Sequence, residues 1–578
     1  MIINHGGSDA GHNSSEYHGV PRNDGGGRSP GKGRPVRSKG SGILICILVT
    51  ALFGMVYYYF RLPALNVHSG DFYVFILLLC AVFFVCEILT SGFHGDTPKS
   101  YFIYIRKKAA VPFFIVCLCL AVMLVGSVIG FRLIRARDYS SLISVETGDF
   151  SAEVAEISFD QIPMLDKASA NVLANRKLGE LSDLVSQFEV FGDSYQINFQ
   201  DRPVRVTYLN YGDFFKWFNN QRSGIPAYMV IDMVSQEVSV KRLENGIRYS
   251  PSEYFFRNIN RYLRFKYPTK MFYEINFEID EEGNPYWVAS VITKKIGLFG
   301  GPDVVGAVLV NAVTGESTYY DIADAPTWVD RVYSAGLIIQ HYDLHGLYQS
   351  GFLNSLFGQR GCTETTDGYN YIAQDDDVWL YTGITSVSGD QGNIGFILVN
   401  QRTKQARYYS CAGAEEYSAM DSAKGAVQQY KYTATFPLLL NINGQPTYFL
   451  ALKDDSSLVK MYAMVNVQQY QIVATGTSVL NCADNYEALL IDNRIIDGYD
   501  RPPLENLETA EGKIAEIRSA VINGNTRYYI RLENSAMYFA INATDWPPVV
   551  ILSVGDSITI TFEPGTGDII SAVTVTKE

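Results

Sequence analysis

The stretch AAVPFFIVCLCLAVMLVGSVIGF, residues 109–131, is the last of three apolar segments and separates two parts of the chain that differ in composition. The other two segments are residues 43–60 and 72–90. Each has roughly the 17 to 25 residues that a helix needs to cross a hydrocarbon core. Beyond residue 134 the composition becomes that of a water-exposed protein. The sequence therefore predicts three transmembrane helices within residues 43–133 that anchor a large exposed region.

The basic residues in the short flanks of these segments predict the orientation. Six lie in the tail, residues 1–42, and a cluster at 106–108 precedes the third segment, whereas the loop after the first segment has only Arg61. Cytoplasmic flanks carry the excess of lysine and arginine. We therefore expect a multi-pass plasma membrane protein with a cytoplasmic N-terminus and an extracytoplasmic C-terminal region. The three arginines within residues 132–137 favour the opposite orientation.

Charge limits the partners of the exposed region. The whole chain has a net charge of −13. The tail and the membrane region each have a net charge of about +3, so residues 134–578 have a net charge of roughly −19. Such a region repels phosphate backbones, so no nucleic-acid partner is expected. Its net charge also argues against attraction to an anionic outer leaflet. The tail is rich in Gly, Ser, Asn and Arg without apolar periodicity, and is expected to be a disordered cytoplasmic segment.

The small residues and cysteines in the apolar segments are explained by helix packing rather than by a ligand. Gly126 and Gly130 form a small-x-x-x-small pair that lets helices approach closely. Five of the eight cysteines lie in these segments, and only Cys362, Cys411 and Cys482 lie outside, without C-x-x-C spacing. A disulfide framework and a zinc ribbon are therefore not expected. Whether two of those three cysteines form a disulfide stays open.

The exposed region contains an internal repeat. Residues 306–320, GAVLVNAVTGESTYY, match residues 395–409, GFILVNQRTKQARYY, at Gly, Leu-Val-Asn, Thr and the final Tyr-Tyr. Weaker copies are residues 227–240 and 462–473. Each copy has an apolar strand, a polar turn around Asn or Asp, and a second strand with alternating side chains. This pattern predicts a β-hairpin.

A helix is predicted before two of these hairpins. Residues 250–265 begin with a serine cap before aromatic residues at helical spacing, and two strands around a turn at 280–284 follow. Residues 413–430 likewise precede two strands around Asn443-Gly444, a strong two-residue hairpin signal. The common unit is a helix followed by an antiparallel meander. A helix packed on one face of the sheet would bury such strands.

Residues 308–316, VLVNAVTGE, resemble the hairpin of PepSY-type extracytoplasmic modules, which carry a Val-x-Val-Asp/Asn, turn, Thr-Gly-Glu pattern. The second copy, residues 397–405, departs from it with Lys404 and Gln405 in place of Gly-Glu. The resemblance extends over much of residues 154–475. It implies helix-plus-meander modules that act as binding or inhibitory domains in secreted and membrane-bound bacterial proteins. It implies no catalytic residues.

The last part of the chain predicts a small OB-like β-barrel, because five short strands follow each other around a Val-Gly-Asp entry at 554–556 and a turn at 564–567. Its acidity favours a peptide- or glycan-facing module, or a structural cap, over oligonucleotide binding. The expected fold class is α+β. The predicted order is a tail (1–42), three transmembrane helices (43–133), a first α+β module (134–245), a second, PepSY-like module (246–335), third and fourth PepSY-like repeats (336–499), a linker (500–510) and the barrel (511–578).

Residues that could carry chemistry are few. His341, Asp343 and His345 place two imidazoles one helical turn apart, a spacing that metals use, but no H-E-x-x-H glutamate and no third ligand accompany them. A structural histidine pair is therefore the preferred interpretation. The run of aspartates at 375–377 offers hard oxygen ligands but lacks the glycine and the distal glutamate of a calcium loop. We expect no metal, no cofactor and no catalytic residue.

Two classes of function remain. The first is a noncatalytic, membrane-anchored binding, scaffolding or regulatory protein of the bacterial cell envelope, whose modules present sheet faces to an envelope protein or a cell-wall polymer. The alternative is an envelope hydrolase, a peptidase or a wall-polymer-cleaving enzyme, that uses Asp375 or the pair His341 and His345. Catalysis needs an acid or base within hydrogen-bond reach of its partner. No such pair can be assigned from the sequence, which favours the first class. The oligomeric state stays open.

Overall fold

The computed structural model describes residues 39–91, 97–156, 162–374, 377–388, 392–496, 508–522, 525–543, 546–562 and 569–577. Several predictions concern residues outside these ranges. They are the disordered tail up to residue 38, Asp375 and its neighbour Asp376, the linker up to residue 507, and the turn at 564–567.

The N-terminal part consists of helices. α1, α2 and α4 are long and apolar enough to cross a membrane, which confirms the three predicted segments. Cys46, near the start of α1, lies beside Glu87 near the end of α2, so these two helices are antiparallel neighbours. α4 packs on α2. The five helices are α1 (Lys39–Arg61), α2 (Gly70–Ser91), α3 (Pro98–Lys108), α4 (Ala110–Ile129) and α5 (Arg132–Ser140).

The chain leaves α5 as a strap of residues 142–156, which contains β1 (Val145–Gly148) and the short helix α6 (Phe150–Glu153). β1 pairs in parallel with residues 406–409. Asn441 donates its side-chain N–H to the Val154 carbonyl at 2.8 Å. The strap therefore lies along the third and fourth sheets described below, before the chain reaches the first sheet.

The first sheet has the order β2-β4-β5-β6, with β3 also paired to β4. The second has the order β10-β9-β8-β7. Helix α9 begins at Ile259, capped by Asn258, whereas the sequence suggested a serine cap at Ser250; that serine instead pairs with Asn258 in a β-bridge. The elements are α7 (Lys167–Gly179), β2 (Phe188–Val190), β3 (Tyr195–Phe199), β4 (Arg202–Tyr211), α8 (Phe214–Asn220), β5 (Ile225–Asp232), β6 (Val238–Ile247), a 3-10 turn (Phe255–Arg257), α9 (Ile259–Lys266), β7 (Met271–Ile279), β8 (Pro285–Ile296), β9 (Gly300–Asn311), β10 (Ser317–Asp321) and a 3-10 turn (Ile322–Asp324).

The third sheet has the order β1-β15-β14-β13-β11, with β12 also on β13, and the fourth has the order β16-β18-β19-β20, with β17 also on β18. Asn443 and Gly444 both have positive φ, as the predicted two-residue turn requires. The elements are α10 (Ala335–Tyr348), a π-helical turn (Asn354–Gly358), β11 (Thr363–Thr365), β12 (Asn370–Gln374), β13 (Asp377–Ser386), β14 (Gly392–Asn400), β15 (Ala406–Ala414), α11 (Glu416–Ala426), a 3-10 turn (Gln428–Tyr430), β16 (Thr433–Ala434), β17 (Leu438–Ile442), β18 (Gln445–Lys453), β19 (Val459–Asn466), β20 (Val473–Gly476) and α12 (Val479–Asp492).

The last five strands pair in a closed ring, in the order β21-β22-β23-β25-β24, and β24 returns to β21. β23 and β25 are parallel, and the other pairs are antiparallel. Residues of 510–575 form a separate hydrophobic core inside the ring. The elements are β21 (Glu508–Ile522), β22 (Asn525–Leu532), β23 (Tyr538–Asn542), a 3-10 turn (Pro547–Ile551), β24 (Ser557–Phe562) and β25 (Ile569–Lys577).

The four sheets stack face to face, because the second and third are apolar on both faces. On β8, Trp287 packs toward the first sheet and its neighbour Val288 toward the third. On β14, Ile397 packs toward the second sheet and Phe396 toward the fourth. Side chains that alternate along a strand point to opposite faces. The sequence predicted that a helix covers one face of each sheet. In the structure, the second and third sheets also pack against other sheets.

The four copies of the sequence repeat form the last hairpin of the four sheets. In all four an Asp or Asn Oδ1 atom accepts hydrogen bonds from the N–H groups two and three residues later. In three of the four copies the residue four places after this Asp or Asn also has a positive φ. Lys404 adopts this conformation where the first copy has glycine. The pairs are Asp232 and Gln236, Asn311 and Gly315, and Asn400 and Lys404.

Lys404 also forms a buried ion pair with Asp303 of β9. Its Nζ lies 2.8 Å from both carboxylate oxygens and donates to the Leu142 carbonyl at 2.9 Å. Asp303 is 1% exposed, and it also accepts from the half-exposed Lys295 at 2.6 Å. Although burial acts to raise the pKa of Asp303, the two lysines hold it below its ordinary value of 3.8. One carboxylate therefore joins the second sheet, the third sheet and the strap.

We expect the substitution Asp303→Asn to lower the free energy of unfolding by about 3–5 kcal/mol, because it leaves the buried Lys404 ammonium without its counter-ion. The matched substitution Lys295→Gln should cost at most about 1 kcal/mol, because the Lys295 side chain is 51% exposed. Urea unfolding of the purified chain, followed by tryptophan fluorescence, measures both values.

The pH dependence provides a control for this prediction. Because the pKa of Asp303 is lowered in the folded chain, its stabilisation is present above pH 3.8 and is lost as the pH falls through the lower, folded value. The free energies of unfolding of the wild type and of Asp303→Asn should therefore approach each other below about pH 3.8. If Asp303→Asn and Lys295→Gln lowered the free energy of unfolding by the same amount, the stabilising role of the buried pair between Asp303 and Lys404 would be contradicted.

Candidate membrane-proximal site

The two histidines predicted from the sequence lie on the same side of α10, but each binds a separate main-chain carbonyl. His341 Nε2 lies 2.7 Å from the Pro302 carbonyl oxygen, and His345 Nδ1 lies 2.8 Å from the Ser140 carbonyl oxygen. A carbonyl oxygen only accepts, so these ring nitrogens carry the protons. Burial lowers the pKa of His341, which keeps its ring neutral at neutral pH. Both histidines therefore hold α10 against neighbouring segments.

The predicted carboxylates are likewise held by local partners. Asp343 points away from the histidines and accepts hydrogen bonds from the Thr365 main-chain N–H at 2.9 Å and hydroxyl at 3.1 Å. Asp377 accepts from the Arg402 guanidinium at 2.6 and 2.7 Å. In the parts of the chain that the structure describes, no group of three His, Cys, Asp or Glu side chains is placed to hold a metal.

The more distinctive site lies where the sheets meet the apolar helices. The tip between β8 and β9, residues 297–299, rests on α4. A Cβ atom at Gly126 would lie 2.8 Å from the Phe299 ring and 2.9 Å from Leu298. The Phe299 ring also packs edge-on against Tyr73 of α2, with 5.6 Å between centroids. The small residue at 126 therefore admits a hairpin tip, where the sequence suggested a neighbouring helix.

The loop between α1 and α2 binds the same region through main-chain atoms. The Leu65 N–H donates to the Pro268 carbonyl at 2.8 Å, and the Asn66 side chain donates to the Thr269 carbonyl at 2.9 Å. His68 Nδ1 lies 2.9 Å from the carbonyl oxygen of Leu298 in the hairpin tip. The end of α1, the start of α2 and the end of α4 therefore all face the second sheet.

Helix α9 contacts the end of α1 through two arginines. The Arg261 guanidinium lies 4.1 Å from the centroid of the Tyr59 ring and donates from Nε to the Tyr59 carbonyl at 3.2 Å. Arg264 donates from Nε to the Leu62 carbonyl at 3.0 Å. The Phe265 ring packs edge-on against Tyr58 at 5.3 Å. Carbonyls at a helix C-terminus favour such cations.

α5 provides a second attachment, to α10. Tyr139 and Leu142 pack with Ile296, Leu344 and Tyr348 in a small hydrophobic cluster. The Tyr139 hydroxyl donates to a carbonyl at the end of α4, that of Gly130, at 2.8 Å. The sheets are thus fastened to the apolar helices on two sides.

An open apolar cleft of about 720 Å³ lies between α1, α2 and α9. Phe256 and Phe265 stand at its mouth, and they are 56% and 43% exposed. Exposed phenylalanine rings on a helix that lies beside apolar helices are typical of a helix in the membrane–water interface. The deeper walls come from α1 and α2, and they include Ile47, Ala51, Met55, Leu79 and Phe83.

This site was not predicted from the sequence, although the sequence contains a signal for it. Residues 254–270 contain five basic residues and no acidic residue, within an exposed region that carries roughly −19. Three of the five, Arg257, Arg261 and Arg264, follow the spacing of one helical face. That spacing, together with the aromatic residues between them, indicates an interfacial amphipathic helix.

No protein-family model matches this chain, and no curated protein sequence matches it. The resemblance of residues 308–316 to PepSY-type modules therefore stays a prediction from the sequence.

We expect Gly126→Leu to displace the hairpin tip from α4, because the larger side chain would overlap Leu298 and Phe299. Overpacking typically costs about 1–3 kcal/mol, so chymotrypsin should cleave the purified chain at residues 297–299 about 5-fold to 150-fold faster.

Gly70→Leu is the matched control, because a Cβ atom at Gly70 would have no neighbour within 4 Å. It should leave the cleavage rate unchanged. Equal cleavage of the Gly126→Leu variant and the wild type would show that the tip does not depend on the glycine.

Proposed function

We propose that this chain is a noncatalytic, membrane-anchored extracytoplasmic protein that binds, scaffolds or regulates components of the bacterial cell envelope. The observation that carries the proposal is the double attachment of the sheet stack to the apolar helices, through the hairpin tip at Gly126 and through α5. These contacts hold a large folded surface at a fixed position above one end of the helices. A fixed surface of this kind suits a protein that positions a partner relative to the membrane.

The proposed orientation has the N-terminus in the cytoplasm. Arg106, Lys107 and Lys108 end α3, at the start of α4, and the basic tail precedes α1. The excess of basic residues in short flanks supports a cytoplasmic location for both. The sheets, at the opposite ends of α1 and α4, are then extracytoplasmic.

We infer that the sheets are PepSY-like modules and that the C-terminal ring is an OB-like barrel. The shared hairpin turn at Asp232, Asn311 and Asn400 supports the first inference. The strand order β21-β22-β23-β25-β24, with β23 parallel to β25, supports the second. Residues 508–578 have nine acidic and five basic residues, which favours a peptide or glycan partner over a nucleic acid.

The barrel offers a surface for such a partner. Val550, Ile551 and Val554 lie close together in the sequence at the end of the 3-10 turn, and they are 60%, 73% and 63% exposed. Clustered exposed apolar side chains are typical of binding surfaces. His341 and His345, the pair that the hydrolase alternative would use, are engaged with main-chain carbonyls instead.

The orientation predicts a protection pattern in wall-stripped cells. Added trypsin should digest residues 134–578, whereas an epitope tag fused to the N-terminus should remain intact, because only the former lie outside. Immunoblotting against tags at both ends measures this. Digestion of the N-terminal tag with protection of the sheets would place the sheets in the cytoplasm.

The binding proposal predicts labelled neighbours that depend on the barrel surface. A labelling peroxidase fused to the C-terminus should enrich envelope proteins or wall fragments in cells. The double substitution Ile551→Glu, Val554→Glu should lower that enrichment about tenfold or more. The reason is that residues at the centre of an interface lose at least about 1.4 kcal/mol of binding free energy when they are replaced.

Val185→Glu is the matched control, since Val185 is 47% exposed and precedes the first sheet. It should preserve the enrichment. Purified chain that cleaves cell wall or peptide, with loss of turnover in His341→Ala or His345→Ala, would favour the hydrolase instead.

A further inference from the structure

We propose that the cleft between α1, α2 and α9 binds one anionic phospholipid, with an acyl chain along the apolar walls and the headgroup phosphate at Arg261. The proposal is independent of the partner of the barrel. It is also independent of the side of the membrane on which the sheets lie, because the cleft opens to whichever leaflet surrounds it.

The occupant of the cleft follows from its position. Ala51, Met55 and Leu79 line it from α1 and α2, the two helices that are apolar enough to cross a membrane. A cleft between such helices opens to lipid rather than to water. Its volume of about 720 Å³ accommodates an acyl chain.

The headgroup contact follows from the charges at the mouth. Within the described residues, no ion pair joins Arg261, Arg264, Lys266 or Lys270 to a carboxylate, whereas the nearby Arg257 pairs with Glu253 at 3.2 Å. Arg264 is buried, but Arg261 is partly exposed beside the cleft. The five basic residues of 254–270 outnumber Glu253 and Asp71, whose charge acts on Arg264, so the local charge is positive although the exposed region as a whole is acidic. An anionic phosphate complements it.

The headgroup, rather than the acyl chain, should determine which lipid binds. Lipid tails are as apolar as the walls of the cleft, so moving an acyl chain from the bilayer into the cleft gives little net free energy. Each lysine or arginine near an anionic surface, by contrast, contributes about a fivefold gain in affinity. Lipids with a net negative headgroup should therefore be selected over zwitterionic lipids with the same tails.

Native mass spectrometry of the full chain tests this. The chain is extracted from nanodiscs that contain equal amounts of phosphatidylglycerol and phosphatidylcholine with identical acyl chains. We expect the wild type to retain a single phosphatidylglycerol. Arg261→Gln should reduce the retained fraction about fivefold. Lys424→Gln, a charge change on α11 beside the fourth sheet, should leave it unchanged.

Filling the cleft separates lipid in this site from lipid bound elsewhere. Ala51→Trp and Met55→Trp should each abolish retention, whereas Leu52→Trp should not, because Leu52 is 61% exposed on α1 but does not line the cleft. Protection of the tip at residues 297–299 from chymotrypsin verifies that the variants fold. Equal retention of both lipids, retention in the two filled variants, or displacement of the lipid by millimolar inorganic phosphate would each overturn the proposal.

Discussion

The buried carboxylate of Asp303 is the constraint on which the arrangement of the sheets depends. Its 1% exposure means that its charge must be neutralised by nearby cations, and the more buried of its two lysines, Lys404, is supplied by a different sheet. The same ammonium also binds the strap at Leu142. Removing one member of a buried pair leaves an uncompensated charge, so each of the three segments fixes the position of the other two. The hairpin turn that delivers Lys404 is the turn of the repeat, with lysine in a conformation that usually favours glycine.

This constraint extends to the membrane helices. β9, which carries Asp303, begins directly after the tip that rests on Gly126, and α10, which carries His341 beside Asp303, packs on α5. The position of the second sheet relative to α4 is therefore determined by packing at one end of the hairpin and by charge just beyond it. α9 follows from the same placement, because it lies in the segment that leads into the second sheet. The cleft beside α1 is a consequence of where that helix is held.

Local signals in the sequence were sufficient for the elements and insufficient for their packing. The three apolar segments and the Asn443-Gly444 turn were predicted because length, hydropathy and turn chemistry act within a few residues. The pairing of β1 with residues 406–409 was not, since the partners are far apart in the chain and β1 carries no pattern that specifies them. The serine cap proposed at residue 250 failed for a related reason: Ser250 is used in a bridge to Asn258, and the helix begins only after that contact. For the site, the histidines on α10 attracted attention by residue type, whereas the arginines on α9 gave their signal only through charge relative to the rest of the chain.

The parallel pairing of β1 with β15 has a mechanical consequence. β1 is connected to the membrane helices at its N-terminal end, whereas β15 continues from its C-terminal end toward the fourth sheet and the barrel. A pull that separates the barrel from the membrane therefore draws the two strands in opposite directions along their length. In that geometry the hydrogen bonds between Val145–Gly148 and residues 406–409 are loaded together, in shear, and must fail at once rather than one after another. The strap is thus an element that resists tension between the apolar helices and the C-terminal ring of strands.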